Sequence, residues 1–253
     1  MNETLRVIDA RCSTRVYADT PITDAEKQAI LHATFRAPTG GNMMLYTIID
    51  VADQALKDRL AVTCDDQPFI ARAPWVLVFV ADFQKWMDLF EYSNVAELGL
   101  GSRAPGPGEL LLACSDALIA AQNAVIAAES LGIGSCYIGD VLENAEEHAE
   151  LLGLPEHTLP IAMLCFGRPV GKRRRVARQI AHMVHINRYQ RLGTSDLAKV
   201  SAELELEYAP HGHKPGIANY VQSLYQRKFA SEFMAEMNRS VAVWIQRWQT
   251  GAK

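Results

Sequence analysis

The sequence predicts an α+β or α/β protein built round one sheet, on three observations. Long helical patterns alternate with a few short apolar strands. The run from Trp75 to Ala81 is almost continuously apolar, as in a strand buried on both faces. The stretch from Glu109 to Leu131 reads as one long helix, apolar nearly all the way round, which predicts a central, buried helix.

Thr23-Asp24-Ala25-Glu26 forms a capping box, so a helix starts there, runs to about Arg36 and stops before Pro38. Tyr46 to Val51 is rich in β-branched residues and reads as a strand. Asp53 to Val62 and Gln84 to Ser93 read as helices. Gly99 to Gly108, with Pro105 and Pro107, reads as a loop. The long helix that follows spans roughly 35 Å at 1.5 Å per residue, and Gly132 is placed to cap its C-terminus. Glu143 to Leu152 is a short helix, and Leu159 to Phe166 a further buried strand. From Gly167 the chain changes character. Gly171 to Arg178 is basic and loop-like; Ser195 to Tyr208 and Ile217 to Trp248 are mostly helical, separated by a break from Pro210 to Gly216. These helices carry little core of their own, so the tail reads as an arm that packs on something else. There is no internal repeat.

The 253 residues suffice for a real core. A net charge of −4 argues against nucleic-acid binding. The longest apolar stretch is broken by Ser115-Asp116, Gln122-Asn123 and Glu129-Ser130, unlike a membrane span. Met1 to Ala10 lacks the apolar core of a secretory signal. Five scattered cysteines, with no Cys-x-x-Cys pair, argue against a disulfide framework or structural zinc and fit a reducing cytoplasm.

Three segments can carry chemistry. On an extended chain Arg11, Ser13 and Arg15 alternate onto one side and can grip a phosphate or an anionic ring; the same residues also suit a solvated basic turn. In Ala37-Pro38-Thr39-Gly40-Gly41-Asn42 the proline ends a helix and the glycines let backbone lie flat against a neighbour, or make a plain helix-to-strand turn. Gly132 to Gly139 offers backbone amides to an acceptor atom, or is a helix cap followed by a short strand. Six cations between Arg168 and Arg178 suit a phosphate clamp or a solvated loop. The histidines, including His182, His185, His211 and His213, lack the spacing of a metal site. No nucleophile elbow, P-loop or dinucleotide fingerprint is present.

In this order the segments resemble the nitroreductase family. The matching blocks are Arg11-Cys12-Ser13-Thr14-Arg15-Val16-Tyr17, Ala37-Pro38-Thr39 with Asn42, Gln67-Pro68, Glu129 to Gly139, Phe166-Gly167-Arg168-Pro169 and Val184 to Tyr189. The resemblance implies an α+β three-layer fold, with a central mixed or antiparallel sheet flanked by helices and a helical C-terminal arm. It implies a core over 1–190 and an extension over 191–253 that packs on the core or the dimer partner. It further implies a homodimer with FMN at the subunit interface and ping-pong hydride transfer through flavin N5. NADPH or NADH would be the reductant, and a nitro-aromatic, quinone or related electron-poor molecule the acceptor. Flavin or enone reductase, dehalogenase and non-catalytic FMN binding are the alternatives.

Carried over by position, Arg11 and Ser13 hold the phosphate and ribityl end, and Arg15 sits by N1 and O2 of the ring. Gln67 bonds the pyrimidine edge, and the amides of Ile138 and Gly139 reach N5 and O4. Pro38, Thr39 and Gly40 come from the other subunit, and Arg175 and Arg178 finish the phosphate clamp. Cys12, Asn42 and Tyr137 also fall at the cofactor. The resemblance requires no side-chain acid or base and no metal. Two stretches depart from it. Met43-Met44-Leu45-Tyr46 stands where relatives often carry glutamine, proline and an aromatic. Pro210 to Pro215 stands where NADPH-preferring relatives carry arginines, which leaves NADPH or NADH open.

Overall fold

The computed structural model describes residues 1–101, 103–171, 183–209 and 211–250. The basic stretch from Lys172 to Arg178, with Arg175 and Arg178, lies outside the described residues, as do His182 and Pro210.

The chain opens with α1 (Glu3–Ala10), capped by the Asn2 side chain, a helix the sequence reading did not anticipate. In α2 (Asp24–Thr34) both halves of the Thr23/Glu26 capping box form. A 3₁₀ turn (Gly40–Asn42) leads into β1 (Tyr46–Asp50). Next come α3 (Gln54–Thr63), N-capped by Asp53, and the one-turn α4 (Pro68–Ala71), where Pro68 needs no N–H partner. β2 (Trp75–Asp82) is buried at every position. It is followed by α5 (Gln84–Tyr92) and α6 (Pro107–Ser130). The Glu109 carboxylate accepts the Gly106 N–H at 2.8 Å and pairs with Arg103, closing the start of α6. β3 (Gly134–Ile138), α7 (Ala145–Leu151) and β4 (Thr158–Gly167) complete this part.

The sheet order is β1-β2-β4-β3, and every pairing is antiparallel. The fold is therefore α+β. Alternation along β2 makes three layers. Trp75, Leu77 and Phe79 face α2 and α6, whereas Val76, Val78 and Val80 join a second core with Leu60, Ile70, Trp244 and Trp248. A register shift between Phe79 and Val80 lies opposite Pro160 and Ile161 of β4. Pro160 lies beyond the last β3 pairing, Ile138 with Met163, so β4 has only one neighbour where its proline lacks a donor.

The long helix departs from expectation. One stripe (Leu110, Ala113, Ala117, Ala120, Ala121, Ala124, Val125, Ala128) is buried, but Leu111, Leu112, Leu118 and Ile119 are exposed. α6 is therefore half-covered within one chain, not buried all round. Its small alanines allow close approach to the sheet, while the branched residues point away from it.

Contacts divide the chain into residues 1–175 plus 237–253, and residues 176–236. The second unit contains α8 (Thr194–Tyr208), α9 (Tyr220–Leu224) and a π turn, Tyr225–Phe229. There the Glu205 carboxylate accepts the Tyr220 N–H at 2.6 Å and meets His213. α10 (Glu232–Thr250) belongs from Met237 onward to the first unit. Its Trp244 and Trp248 are fully buried, and their indole N–H groups donate to Leu142 O and Gly106 O.

Candidate functional site

The residues of the first basic segment are positioned by β3. The Thr14 N–H donates to Ser135 O at 2.9 Å, and Ser13 pairs with Ser135 in a parallel bridge. Further on, Tyr17 pairs with Pro169, and the Ala18 N–H donates to Arg168 O at 2.8 Å. The segment thus lies in extended form along the sheet. Two glycines make room for it. Gly134 and Gly167 face each other across β3 and β4. A Cβ at Gly134 would lie 2.7 Å from Thr14 Cβ, and one at Gly167 would lie 2.8 Å from Tyr17 Cγ. No packed side chain tolerates such distances, so glycine is required for close approach rather than for a turn.

With Thr14 turned inward and buried, Ser13 and Arg15 turn out to solvent and Arg11 and Cys12 are half-buried. The Arg15 guanidinium lies over the Phe69 ring, 5.7 Å from its centroid. This brings the second half of the Gln67-Pro68-Phe69 segment to the first basic segment. Burial raises the Cys136 thiol above its usual range, and the Arg15 and Arg11 charges pull it back. Burial likewise lifts the Tyr137 phenol to about 12, against the opposing pull of Arg11. The Arg11 and Arg15 charges thus act on Cys136, and the Arg11 charge on Tyr137. Among the described residues neither Arg11 nor Arg15 has a carboxylate partner.

The glycine-rich segment starts where α6 ends. Gly132, at φ +71°, donates to Glu129 O and Ile133 donates to Ala128 O, a left-handed cap that turns the chain into β3. The expected cap and the expected short strand are both present. Tyr137 is on the outer face and its hydroxyl meets Gln122 Oε1 at 3.4 Å; Ile138 is buried and Gly139 exposed. Gln67 is half-buried and its side-chain amide donates to Cys64 O at 2.8 Å, after two left-handed residues, Asp65 and Asp66.

The Ala37–Asn42 segment sits elsewhere on α6. The Gly40 N–H donates to Asp116 Oδ1 at 2.9 Å, and the Asn123 side chain donates to Ala33 O at 3.1 Å. Pro38 and Asn42 are exposed and Thr39 and Gly40 half-buried. No described bond joins this segment to Arg11–Arg15 within one chain. Arg168, read with the basic cluster, is spent on Glu26 at 2.6 Å. His148 and His157 are buried and bonded to Val141 O, Thr63 and Trp248 O, which accounts for two histidines by packing alone. In the sequence Asp116 is only a polar break; its role depends on partners more than 70 residues away, which no local pattern signals.

An antiparallel sheet sandwiched by helices, with an arginine-bearing segment docked on its glycine-bearing edge, defines an α+β protein. The sequence profile of the nitroreductase family matches residues 8–168. The chain belongs to that family. It is 35% identical to the oxygen-insensitive NADPH nitroreductase of Salmonella typhimurium over 213 residues, 84% of this chain and 85% of that protein. It is 30% identical to the NADPH-flavin oxidoreductase of Vibrio harveyi over 225 residues, 88% of this chain and 90% of that one. Among solved structures, nitroreductase A from Vibrio parahaemolyticus superposes with a TM-score of 0.80 at 28% identity, over 98% of this chain and 97% of that chain.

Proposed function

We propose that the protein is an NAD(P)H-dependent FMN oxidoreductase that reduces nitro-aromatic, quinone or flavin-like acceptors. The observation that carries this reading is the docking of Arg11–Arg15 on β3 at Ser135, which leaves Arg11 and Arg15 without a carboxylate partner among the described residues. That donor set fits FMN: a phosphate needs cations and hydroxyls, and the polar edge of the ring needs fixed N–H donors. The names of the relatives, an NADPH nitroreductase and an NADPH-flavin oxidoreductase, support it.

FMN, when bound, supplies the two-electron hydride chemistry that no side chain provides. The chain supplies position and charge. Arg11 and Ser13 would hold the phosphate and ribityl end, with Cys12 in the same strand. Arg15 would lie by the pyrimidine edge, where a fixed cation stabilises negative charge on the reduced ring. Gln67 would bond the same edge, and the Ile138 and Gly139 amides the reactive side, beside Tyr137. Arg175 and Arg178 would complete the phosphate clamp.

Pro38, Thr39, Gly40 and Asn42 would come from the partner of a homodimer. The finding that supports a dimer is that α6 leaves Leu111, Leu112, Leu118 and Ile119 uncovered. Five free cysteines, three of them buried, support residence in a reducing cytoplasm. The test is direct. The purified protein is expected to be yellow and to bleach under anaerobic NADPH or NADH. A protein that carries flavin yet bleaches with neither nucleotide contradicts the enzymatic reading.

A further inference from the structure

The inward stripe of α6 is mostly alanine, yet it includes two carboxylates, Asp116 and, near the C-terminal end, Glu129. Asp116 is 3% exposed. Its Oδ1 accepts the Gly40 N–H at 2.9 Å and its Oδ2 accepts the Leu45 N–H at 3.2 Å. One side chain thus holds both ends of a six-residue turn.

The backbone between those anchors is unusual. Gly41, Asn42 and Met44 all have left-handed values, at φ +59°, +58° and +51°. Glycine adopts that region freely and asparagine with some ease, but methionine does so only under constraint. The Met44 N–H donates to Thr39 Oγ1 at 3.2 Å, and Trp86 Nε1 donates to Met43 O at 3.0 Å. These bonds steady the middle of the turn; at its ends Asp116 accepts the Gly40 and Leu45 N–H groups, while the Leu45 carbonyl accepts the Asp82 N–H at 3.0 Å. A carboxylate suits the task because both its oxygens accept, and here each receives a main-chain N–H. An amide would face one of them with its own NH₂ donor.

Strained backbone persists only where the surroundings over-determine it, and it clusters at ligand clamps. We infer that Asp116 is a positioning residue: its carboxylate clamps the Gly40–Leu45 turn and so sets the surface that Pro38–Asn42 presents to the flavin ring of the partner subunit. This rests on the FMN reading given above. Asp116 touches no cofactor itself and acts through the turn it holds.

The experiment measures FMN affinity by fluorescence quenching on the apo-dimer, with dimer mass and far-UV circular dichroism alongside. Asp116→Asn is expected to weaken FMN binding at least tenfold while the dimer and its helix content persist. Adding Met44→Gly to that variant is expected to restore affinity to within threefold of the wild type, because glycine holds the left-handed value without the clamp. A merely structural role would not give that rescue. FMN binding by Asp116→Asn within twofold of the wild type overturns the proposal, as does a double variant that recovers nothing. Should Asp116→Asn fail to fold, hydrogen exchange on the wild-type apo-dimer decides. The Gly40 and Leu45 amides are expected to be protected before FMN is added; protection that appears only with FMN overturns the clamp. A wild-type dimer that takes up no FMN also overturns it, by removing the reading beneath it, and is recognised without any variant.

Discussion

Arg15 owes its place to Thr14. The buried Thr14 turns its neighbours outward, and the Arg15 guanidinium then comes to rest over Phe69 at 5.7 Å. Stacking on an aromatic face fixes the cation without neutralising it, as a carboxylate would. An uncompensated charge of this kind lowers the energy of a reduced, anionic ring more than that of the oxidised one. Arg15→Ala is therefore expected to make bound FMN harder to reduce. A tenfold change in the two-electron equilibrium corresponds to about 30 mV, and a fall of at least that size is expected in a redox titration. An unchanged midpoint with FMN still bound would remove Arg15 from the ring. The residue types of this motif were legible in the sequence because arginine, serine and arginine at alternate positions carry their chemistry with them. Asp116 was not, since a single acid in an apolar run has no local signature.

At the scale of elements, the site depends on how closely a strand can approach an edge. The Thr14 side chain occupies the space a Cβ at Gly134 would take, and Tyr17 does the same at Gly167. Gly134→Ala should force the Arg11–Arg15 segment off β3. Overpacking of this kind costs about 1–3 kcal/mol, so thermal unfolding should come earlier. The sharper signal is loss of FMN, read by absorbance after gel filtration; full retention would show that the docked strand does not hold the cofactor. The polar breaks in α6 belong to the same scale. Asp116 bonds the Gly40 turn, Gln122 meets Tyr137, and Asn123 holds the end of α2. What looked like interruptions of an apolar helix are the points at which it grips its surroundings. The Thr23/Glu26 capping box, the β-branched runs and the Gly132 cap were legible because they act within a few residues. The antiparallel order β1-β2-β4-β3, the return of Trp244 and Trp248 to the core and the left-handed Met44 were not, because each is settled by contacts distant in sequence.

At the scale of the whole molecule, the proposed dimer rests on the exposed face of α6. Leu112 is 54% exposed and Ile119 41%, on a helix whose other face is sealed in the core. Apolar residues grouped on one helix face mark an interaction surface, and a second copy would cover it. Ile119→Glu is expected to yield a folded monomer by sedimentation, with FMN lost, since the partner's Pro38–Asn42 would no longer reach the ring. A monomer that keeps its FMN would place the whole site within one chain.

The account centres on two cofactors shared by two chains, and native mass spectrometry of the purified wild type tests it most directly. The predicted result is a dimer carrying two FMN molecules, with both lost together as the dimer separates. A colourless monomer that takes up no added FMN would contradict it.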